Sequence, residues 1–288
     1  MRRYHWSIIL IFVPILMNKQ YNYLLSFFII GVLMITSCKD KAPETEPDES
    51  LEVGGSVDYT YRPLVHHFGS TNCGGCGRWA VPLIHQVAEE MGDTIVPLIT
   101  HFKYEDIFIT ESSEAIVDGI IESWYSPQVW INDRDITFDI INSGQRSSEL
   151  EVMKRLRSLA KEKADAYIGF TAADNDRGRL DATVQVKNSK EDSASYFLEI
   201  YTMRDGEIAS QAGADPYVTT HYKVNKGGHF GGMGKELKMG ANEVFSENLE
   251  LIPCYQCDGV DIYFYVILWQ KKSNGKYGYV NGKVFFPK

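Results

Sequence analysis

The chain has 288 residues, of which 44% are hydrophobic and 23% charged, and its formal net charge is -9. This length and apolar fraction suit a folded protein of two domains and exclude intrinsic disorder for the bulk of the chain. The acidic balance argues against a nucleic-acid partner, because no spare basic charge is available to neutralise phosphates. Beyond residue 37 no apolar run approaches the roughly 20 residues that span a bilayer, which excludes a polytopic membrane protein.

The N-terminal segment has the features of a targeting signal. Residues 1–37 contain no acidic residue, and the apolar run from Leu24 to Thr36 has the length of a signal-peptide core. It ends in small residues before Cys38, which resembles the lipobox of bacterial lipoproteins. We therefore predict a lipoprotein signal peptide over residues 1–37, with Met17 as a second candidate start, and lipidation at Cys38. An ordinary secretion signal or a buried cysteine after an apolar run remain the alternatives.

Residues 38–58 are predicted to be a lipidated cysteine followed by a disordered acidic tether. The segment is rich in Pro, Glu, Asp and Ser and nearly devoid of apolar side chains, so it cannot form a core. Lys39, rather than an aspartate, follows Cys38, which resembles lipoproteins that are sent to the outer membrane. The predicted location is therefore the outer membrane, lipid-anchored, on either its periplasmic or its surface face.

The other four cysteines form two C-x-x-C pairs, Cys73/Cys76 and Cys254/Cys257. Outside the cytoplasm such pairs are expected to be disulfides or redox-active dithiols. A four-cysteine zinc site is the alternative, but the two pairs lie in different predicted domains. We predict no metal site and no cofactor.

Residues 59–164 are predicted to form an α/β domain. A strand, a C-x-x-C motif at a helix N-terminus, a strand, a helix, a strand pair that begins with X-Pro and a final helix follow one another, which resembles the thioredoxin fold. The predicted elements are Leu64 to Phe68, Cys76 to Gly92, Ile95 to His101, Glu111 to Trp124, Pro127 to Ile131 paired with Ile136 to Ile140, and Ser148 to Ala164.

The first C-x-x-C motif is the candidate catalytic site. A cysteine at a helix N-terminus faces unpaired backbone N–H groups and the positive end of the helix dipole, which favours the thiolate. Cys73, expected to be the more exposed, is predicted to attack, and Cys76 to resolve the mixed disulfide. Ser126-Pro127 stands where thioredoxin-like proteins place a cis-proline that holds the substrate main chain. Asn72 replaces the usual tryptophan, so a merely structural disulfide stays open.

Three histidines lie near this motif in the predicted fold. His66 and His67 precede it on the first strand, and His101 ends the neighbouring strand. Strand alternation points only one of His66 and His67 to any given face. That histidine could stabilise a thiolate, or it could be a satisfied core residue. His85, on the following helix, is predicted to lie at the surface.

Residues 165–288 are predicted to form an all-β sandwich of immunoglobulin-like type. Helical periodicity disappears, and short Tyr-, Phe- and Val-rich segments alternate with turn residues. The glycine-rich stretch 227–235 fails the P-loop spacing, so no nucleotide is expected, and it is predicted to be a mobile loop. The predicted strands are Tyr167 to Ala172, Arg179 to Val186, Ser195 to Thr202, Tyr217 to Val224, Asn248 to Ile252, Ile262 to Gln270 and Val280 to Phe286.

A family resemblance rests on the predicted lipobox and tether and on residues of both predicted domains. Those residues are the Gly-Ser-Thr-Asn-Cys-Gly-Gly-Cys segment ending at Cys76, Asp205-Gly206, Gln211, Tyr217 and His221. Together these features resemble the twenty-eight-kilodalton outer-membrane-protein family of bacterial lipoproteins. The resemblance implies an outer-membrane lipoprotein with a thioredoxin-like domain and a C-terminal β-domain, but it implies no substrate. A looser resemblance is to periplasmic reductases in which an immunoglobulin-like domain with its own cysteine pair exchanges electrons with a thioredoxin-like domain.

Two functions follow from this interpretation. The first is thiol–disulfide exchange with envelope or secreted proteins through Cys73 and Cys76. Cys254 and Cys257 would then be a structural clip or a relay that passes electrons to the first pair. The second is a non-catalytic binding or adhesion lipoprotein in which both disulfides are structural.

Overall fold

The computed structural model describes residues 57–103, 105–143, 145–175, 177–252 and 261–287. These residues belong to one compact unit. Cys38, Cys254 and Cys257 lie outside the described residues, as do the predicted signal peptide and nearly all of the predicted tether. None of the described helices is both long enough and apolar enough to cross a membrane.

The first part of the unit alternates strands and helices. The predicted first helix begins with a π-helical turn at Cys76 and ends at Gly92, whose φ of 56° is readily adopted by glycine. The second helix begins at a capping box formed by Thr110 and Ser113. The elements are β1 (Leu64–Gly69), the turn Cys76–Ala80 continuing into α1 (Val81–Met91), a short 3-10 turn (Gly92–Thr94), β2 (Val96–His101), α2 (Glu111–Ile120), β3 (Gln128–Ile131), β4 (Arg134–Asp135), α3 (Thr137–Ser143) and α4 (Gln145–Leu159).

The predicted strand from Ile136 to Ile140 is wrong, because this segment enters helix α3. The Asp135 carboxylate accepts a hydrogen bond from the Thr137 backbone N–H at 2.9 Å, which caps the new helix. Ile136 and Ile140 are buried and four residues apart, a helical spacing, and the Ile140 N–H donates to the Ile136 carbonyl at 3.0 Å. The two isoleucines therefore pack on one side of a helix and not on one face of a strand.

The second part of the unit is all strand. The predicted strand from Tyr217 to Val224 is broken in two at Tyr222 and Lys223, the latter with a φ of 58°. Strands β8 and β11 were not predicted. The strands are β5 (Ala166–Asp174), β6 (Leu180–Asn188), β7 (Ala194–Asp205), β8 (Glu207–Ser210), β9 (Val218–His221), β10 (Val224–Gly228), β11 (Lys235–Met239), β12 (Val244–Leu251), β13 (Asp261–Lys271) and β14 (Tyr277–Phe285).

One mixed sheet of nine strands runs through both parts. Its order is β14-β13-β7-β10-β2-β1-β3-β4, with β11 also paired to β7, and the parallel pairing of β10 with β2 at Val224 and Ile99 joins the two parts. Strands β12, β6 and β5 form a second sheet, and β8 and β9 form a hairpin. The α/β part is thus followed by a β part as predicted, but the fold is mostly β and the two parts share one sheet.

Strand β13 of the shared sheet is buried on both faces. Its alternate residues Phe264, Val266 and Leu268 enter the core against the three-stranded sheet. Tyr265 and Trp269 point the other way, into the core that includes α2. A continuous apolar run is what a strand covered on both sides requires. A third core packs α1 and α4 against β1 and β3 and holds the start of α1 beside the sheet.

The glycine-rich stretch 227–235, which was predicted to be a mobile loop, packs over a buried carboxylate. Glu199 is fully buried beneath it, and its carboxylate accepts hydrogen bonds from the backbone N–H groups of Ile200 and Phe230, both at 2.8 Å. A β-carbon on Gly228 would lie 2.9 Å from the Glu199 carboxyl carbon, so the backbone can approach the carboxylate only without a side chain. Gly228 therefore serves the fold in this segment.

Candidate redox site

Cys73 and Cys76 form a disulfide at the start of the first helix, with Cα atoms 5.2 Å apart. Cys73 lies in the loop after β1, and Cys76 opens the π-helical turn. The Cys73 N–H donates to the Ser70 carbonyl at 3.1 Å, and the Cys73 carbonyl accepts from the Gly77 N–H at 3.3 Å. We call residues 70–77 the redox loop.

Two donors are directed at the sulfur atoms. The Cys76 backbone N–H donates to Cys73 Sγ at 3.1 Å, and the Ser126 hydroxyl donates to Cys76 Sγ at 3.2 Å. When the disulfide is reduced, the N–H at the helix start is placed to stabilise a thiolate on Cys73. The helix-start N–H is thus directed at the sulfur that sequence analysis proposed as the attacking thiol.

Ser126 and Pro127 lie against the redox loop, and the peptide bond between them is cis. A β-carbon on Gly75 would lie 2.9 Å from Pro127 Cδ, so only glycine permits this approach. The structure thus brings together the four residues that sequence analysis predicted to be catalytic, Cys73, Cys76, Ser126 and Pro127. Their chemical roles stay predictions.

His67, and not His66, is the histidine that faces the cysteines. A β-carbon on Gly69 would lie 2.3 Å from His67 Nε2 and 2.9 Å from Cys76 Sγ, so both atoms border the same small space. The His67 Nδ1–H donates to the Gln128 carbonyl at 3.0 Å. Burial lowers the pKa of His67 to about 4, so the ring is neutral at pH 7 and Nε2 carries the lone pair. A neutral base therefore lies beside the resolving sulfur.

His101 supports the redox loop indirectly. Its Nδ1 donates to the buried Asp106 carboxylate at 2.9 Å, and the same carboxylate accepts from the Thr71 backbone N–H. Burial alone would raise the pKa of Asp106, but the hydrogen bonds and charge of His101, with N–H groups of Phe108 and Thr71, lower it to about 2. Asp106 thus holds the loop as a fixed anion, and nothing in the local sequence pattern indicated it.

Cys73 is less exposed than sequence analysis assumed. It is the more accessible of the two cysteines, but its exposed fraction is only 7%, against 0% for Cys76. The β8–β9 hairpin from the second part of the chain packs on the redox loop, with Gln211 at its tip. An isolated α/β module would leave this side open. The single sequence signal was Gln211 itself, one of the residues that carry the family resemblance.

The remaining predicted residues are His85 and the second cysteine pair. His85 is half-buried and not a surface residue, since its ring packs edge-on against Tyr222 at 4.7 Å. Cys254 and Cys257 lie outside the described residues, so the clip and the relay stay predictions. Within the described part of the chain no cluster of His, Cys, Asp and Glu could hold a metal ion.

Comparison with known proteins gives a likeness to a solved structure. No family model and no curated protein matches the chain. Among solved structures, the chain is similar to HBP35 of Porphyromonas gingivalis, with a TM-score of 0.59 and 14% identity over 81% of this chain and 77% of that chain. This likeness shows a related fold.

Two further solved structures are too different to support an argument about the fold. The sporulation control protein Spo0M from Bacillus subtilis has a TM-score of 0.30 and 9% identity, over 44% of this chain and 50% of that chain. A Northeast Structural Genomics Consortium target, SoR45, has a TM-score of 0.22 and 7% identity, over 43% of this chain and 87% of that chain.

Proposed function

We propose that this chain is a lipid-anchored thiol–disulfide oxidoreductase of the outer membrane, with Cys38 as the lipid attachment site. Its fold is a thioredoxin-like module joined to an immunoglobulin-like β module, as in the twenty-eight-kilodalton outer-membrane-protein family. The observation that supports the proposal best is the Cys76 N–H aimed at Cys73 Sγ from a helix start, with Ser126 and Pro127 against the redox loop. Its partners are thiols and disulfides of envelope or secreted proteins.

The exchange balances without a cofactor. A partner thiolate attacks Cys73 Sγ, the Cys73–Cys76 bond breaks, and the electron pair leaves on the Cys76 sulfur, to which Ser126 donates a hydrogen bond. A second partner thiolate then attacks the partner sulfur of the mixed disulfide and releases Cys73 as a thiolate. The partner is oxidised by two electrons and the cysteine pair is reduced. The reverse sequence reduces a partner disulfide.

The low exposure of Cys73 favours a second candidate, a non-catalytic binding or adhesion lipoprotein whose disulfide is structural. The reduction potential of the pair separates the two, because structural disulfides resist the glutathione pool. We expect the Cys73–Cys76 pair of the full chain to titrate above about -300 mV against glutathione or dithiothreitol buffers. A potential below that value would favour the structural role and contradict the redox proposal.

We expect the lone pair of neutral His67 Nε2 to accept a hydrogen bond from the Cys76 thiol and to orient it when Cys76 must attack Cys73 in the reductive direction. Replacing His67 with Gln keeps a side-chain donor near the Gln128 carbonyl but removes the ring nitrogen beside Cys76. The mixed disulfide between Cys73 and a model substrate should then last roughly tenfold longer, the effect of losing one hydrogen bond of about 1.4 kcal/mol. Quenched-flow trapping of the mixed disulfide measures its lifetime.

The control for this experiment is His229→Gln, which removes an exposed histidine of the glycine-rich stretch. It should leave the lifetime unchanged. If His67→Gln also leaves the lifetime unchanged between pH 6 and 8, His67 is a structural residue only.

A further inference from the structure

The β8–β9 hairpin leaves the main sheet after β7 and returns to it at β10. Its inner face carries Ala209 and His221, which pack near Phe108, and its outer face presents Ile208 and Val218 to solvent, 75% and 57% exposed. Ser210 pairs with Val218 at the end of the hairpin. Residues 211–217 form the tip.

The tip binds the redox loop through the backbone carbonyl groups of the loop. The Ala212 N–H donates to the Thr71 carbonyl at 2.7 Å. The two N–H hydrogens of the Gln211 side-chain amide face three carbonyl oxygens, those of Ser70, Thr71 and Cys73, each 3.2 Å from Nε2. None of these contacts depends on the identity of a redox-loop side chain, so the tip recognises the shape of the loop.

Two glycines allow the tip to approach this closely. A β-carbon on Gly213 would lie 2.0 Å from the Gly74 carbonyl oxygen, and one on Gly77 would lie 2.3 Å from the Ala212 carbonyl oxygen. The redox loop is therefore held between the tip on one side and Pro127 on the other. This packing accounts for the burial of both sulfur atoms.

The hairpin has the properties of a segment that can detach locally. Its own apolar cluster contains only Phe108, Ala209 and Val224, far fewer residues than the three main cores. The hairpin also carries two buried polar atoms, Gln211 Oε1 and His221 Nε2, for which the described residues provide no hydrogen-bond partner. Solvent would satisfy both atoms on opening, so closure is only weakly favoured.

We infer that the tip of the β8–β9 hairpin is a cover over the disulfide, which must lift before a protein sulfur can reach Cys73 Sγ. Attack requires approach along the S–S axis, and a protein partner cannot make it at a sulfur with the closed-state burial of Cys73. The cover regulates the exchange proposed above and rests on that proposal for its biological role. Its physical existence can be tested without it.

The test compares Gly213→Ala with Gly275→Ala. Gly213 has a φ of 79° and Gly275 a φ of 85°, so an alanine is strained at both, but a β-carbon meets the Gly74 backbone at 213 and nothing within 4 Å at 275. Reduction of the disulfide by a trialkylphosphine is followed by alkylation of the released thiols. The rate should rise by roughly tenfold or more in Gly213→Ala, a change equivalent to about 1.4 kcal/mol of closure, and stay unchanged in Gly275→Ala.

A second variant keeps the test conclusive if Gly213→Ala does not fold. Replacing residues 211–217 with Asn-Gly joins Ser210 to Val218 by a two-residue hairpin turn and removes the tip altogether. It should show the same acceleration. Wild-type reduction rates in this variant would overturn the inference. Faster phosphine reduction without any insulin reduction would support the cover and contradict the oxidoreductase function, so the two failures are distinguishable.

Discussion

Replacing Cys73 with Ser is expected to abolish insulin reduction by the full chain, because a serine hydroxyl neither ionises at neutral pH nor attacks a disulfide. The Cys76 thiol that remains is fully buried behind the redox loop and cannot act in place of Cys73. The measurement is the turbidity that insulin develops in the presence of dithiothreitol. Activity in Cys73→Ser equal to that of the unmodified chain would refute the mechanism.

Replacing Cys76 with Ser is expected to give the complementary result. Cys73 can still attack, but the neighbouring sulfur that would resolve the product is gone, so a mixed disulfide with the partner accumulates. Non-reducing gel electrophoresis after acid quenching detects the complex, and Cys73→Ser is the matched control that should form none. Equal amounts of complex in both variants would place the reactive sulfur elsewhere in the chain.

Lowering the pH from 7 to 4.5 is expected to destabilise the folded chain by several kcal/mol. Burial lowers the pKa of both His67 and His85 from 6.5 to about 4, and it lowers that of His66 well below its ordinary value. Below pH 6.5 these histidines bind protons in the unfolded chain but stay neutral in the folded chain until the pH approaches their lowered pKa values. The contribution of neutral His67 and His85 to the free energy of unfolding is complete above pH 6.5. As the pH falls to 4, the contribution of each histidine decreases by about 3 kcal/mol.

Two buried carboxyl groups bear on the same measurement. Burial raises the pKa of Glu199, which favours the folded state on acidification and offsets part of the loss. The lowered pKa of Asp106 matters only below pH 3.8, outside the measured range. The histidines outnumber Glu199, so the net slope of unfolding free energy against pH stays positive between pH 4.5 and 6.5.

Urea unfolding at pH 7.0, 5.5 and 4.5 measures this effect. His67→Gln should reduce the difference in unfolding free energy between pH 7.0 and 4.5 by about 2 kcal/mol, whatever it does to the stability at pH 7.0. His229→Gln, at an exposed position where burial lowers the histidine pKa by less, should reduce this difference by a smaller amount. An unfolding free energy that is equal at pH 7.0 and 4.5 in the unmodified chain would contradict the prediction.

Local patterns predicted the elements whose reasons are local. Cys76 at a helix start and Gly92 at its end were predicted because helix termini depend on neighbouring residues. The Ile136 to Ile140 segment failed because two isoleucines four apart suit a short helix, and the capping Asp135 was not recognised. Strand alternation correctly limited the choice to one of His66 and His67, but the choice between them was decided by the packing of α1 on the face of β1 that Val65 and His67 share.

The sequence alone determined the chemistry that this chain can offer: a C-x-x-C motif at a helix N-terminus, a serine–proline pair and nearby histidines. Only the tertiary structure decided how accessible that chemistry is. Gln211 and Gly213 reach the redox loop from the second part of the chain through contacts with carbonyl oxygens, which every residue possesses. Gly77 in that loop permits the approach, but a glycine does not show in the sequence which segment will pack on it, so the covering of Cys73 is a property of the folded chain.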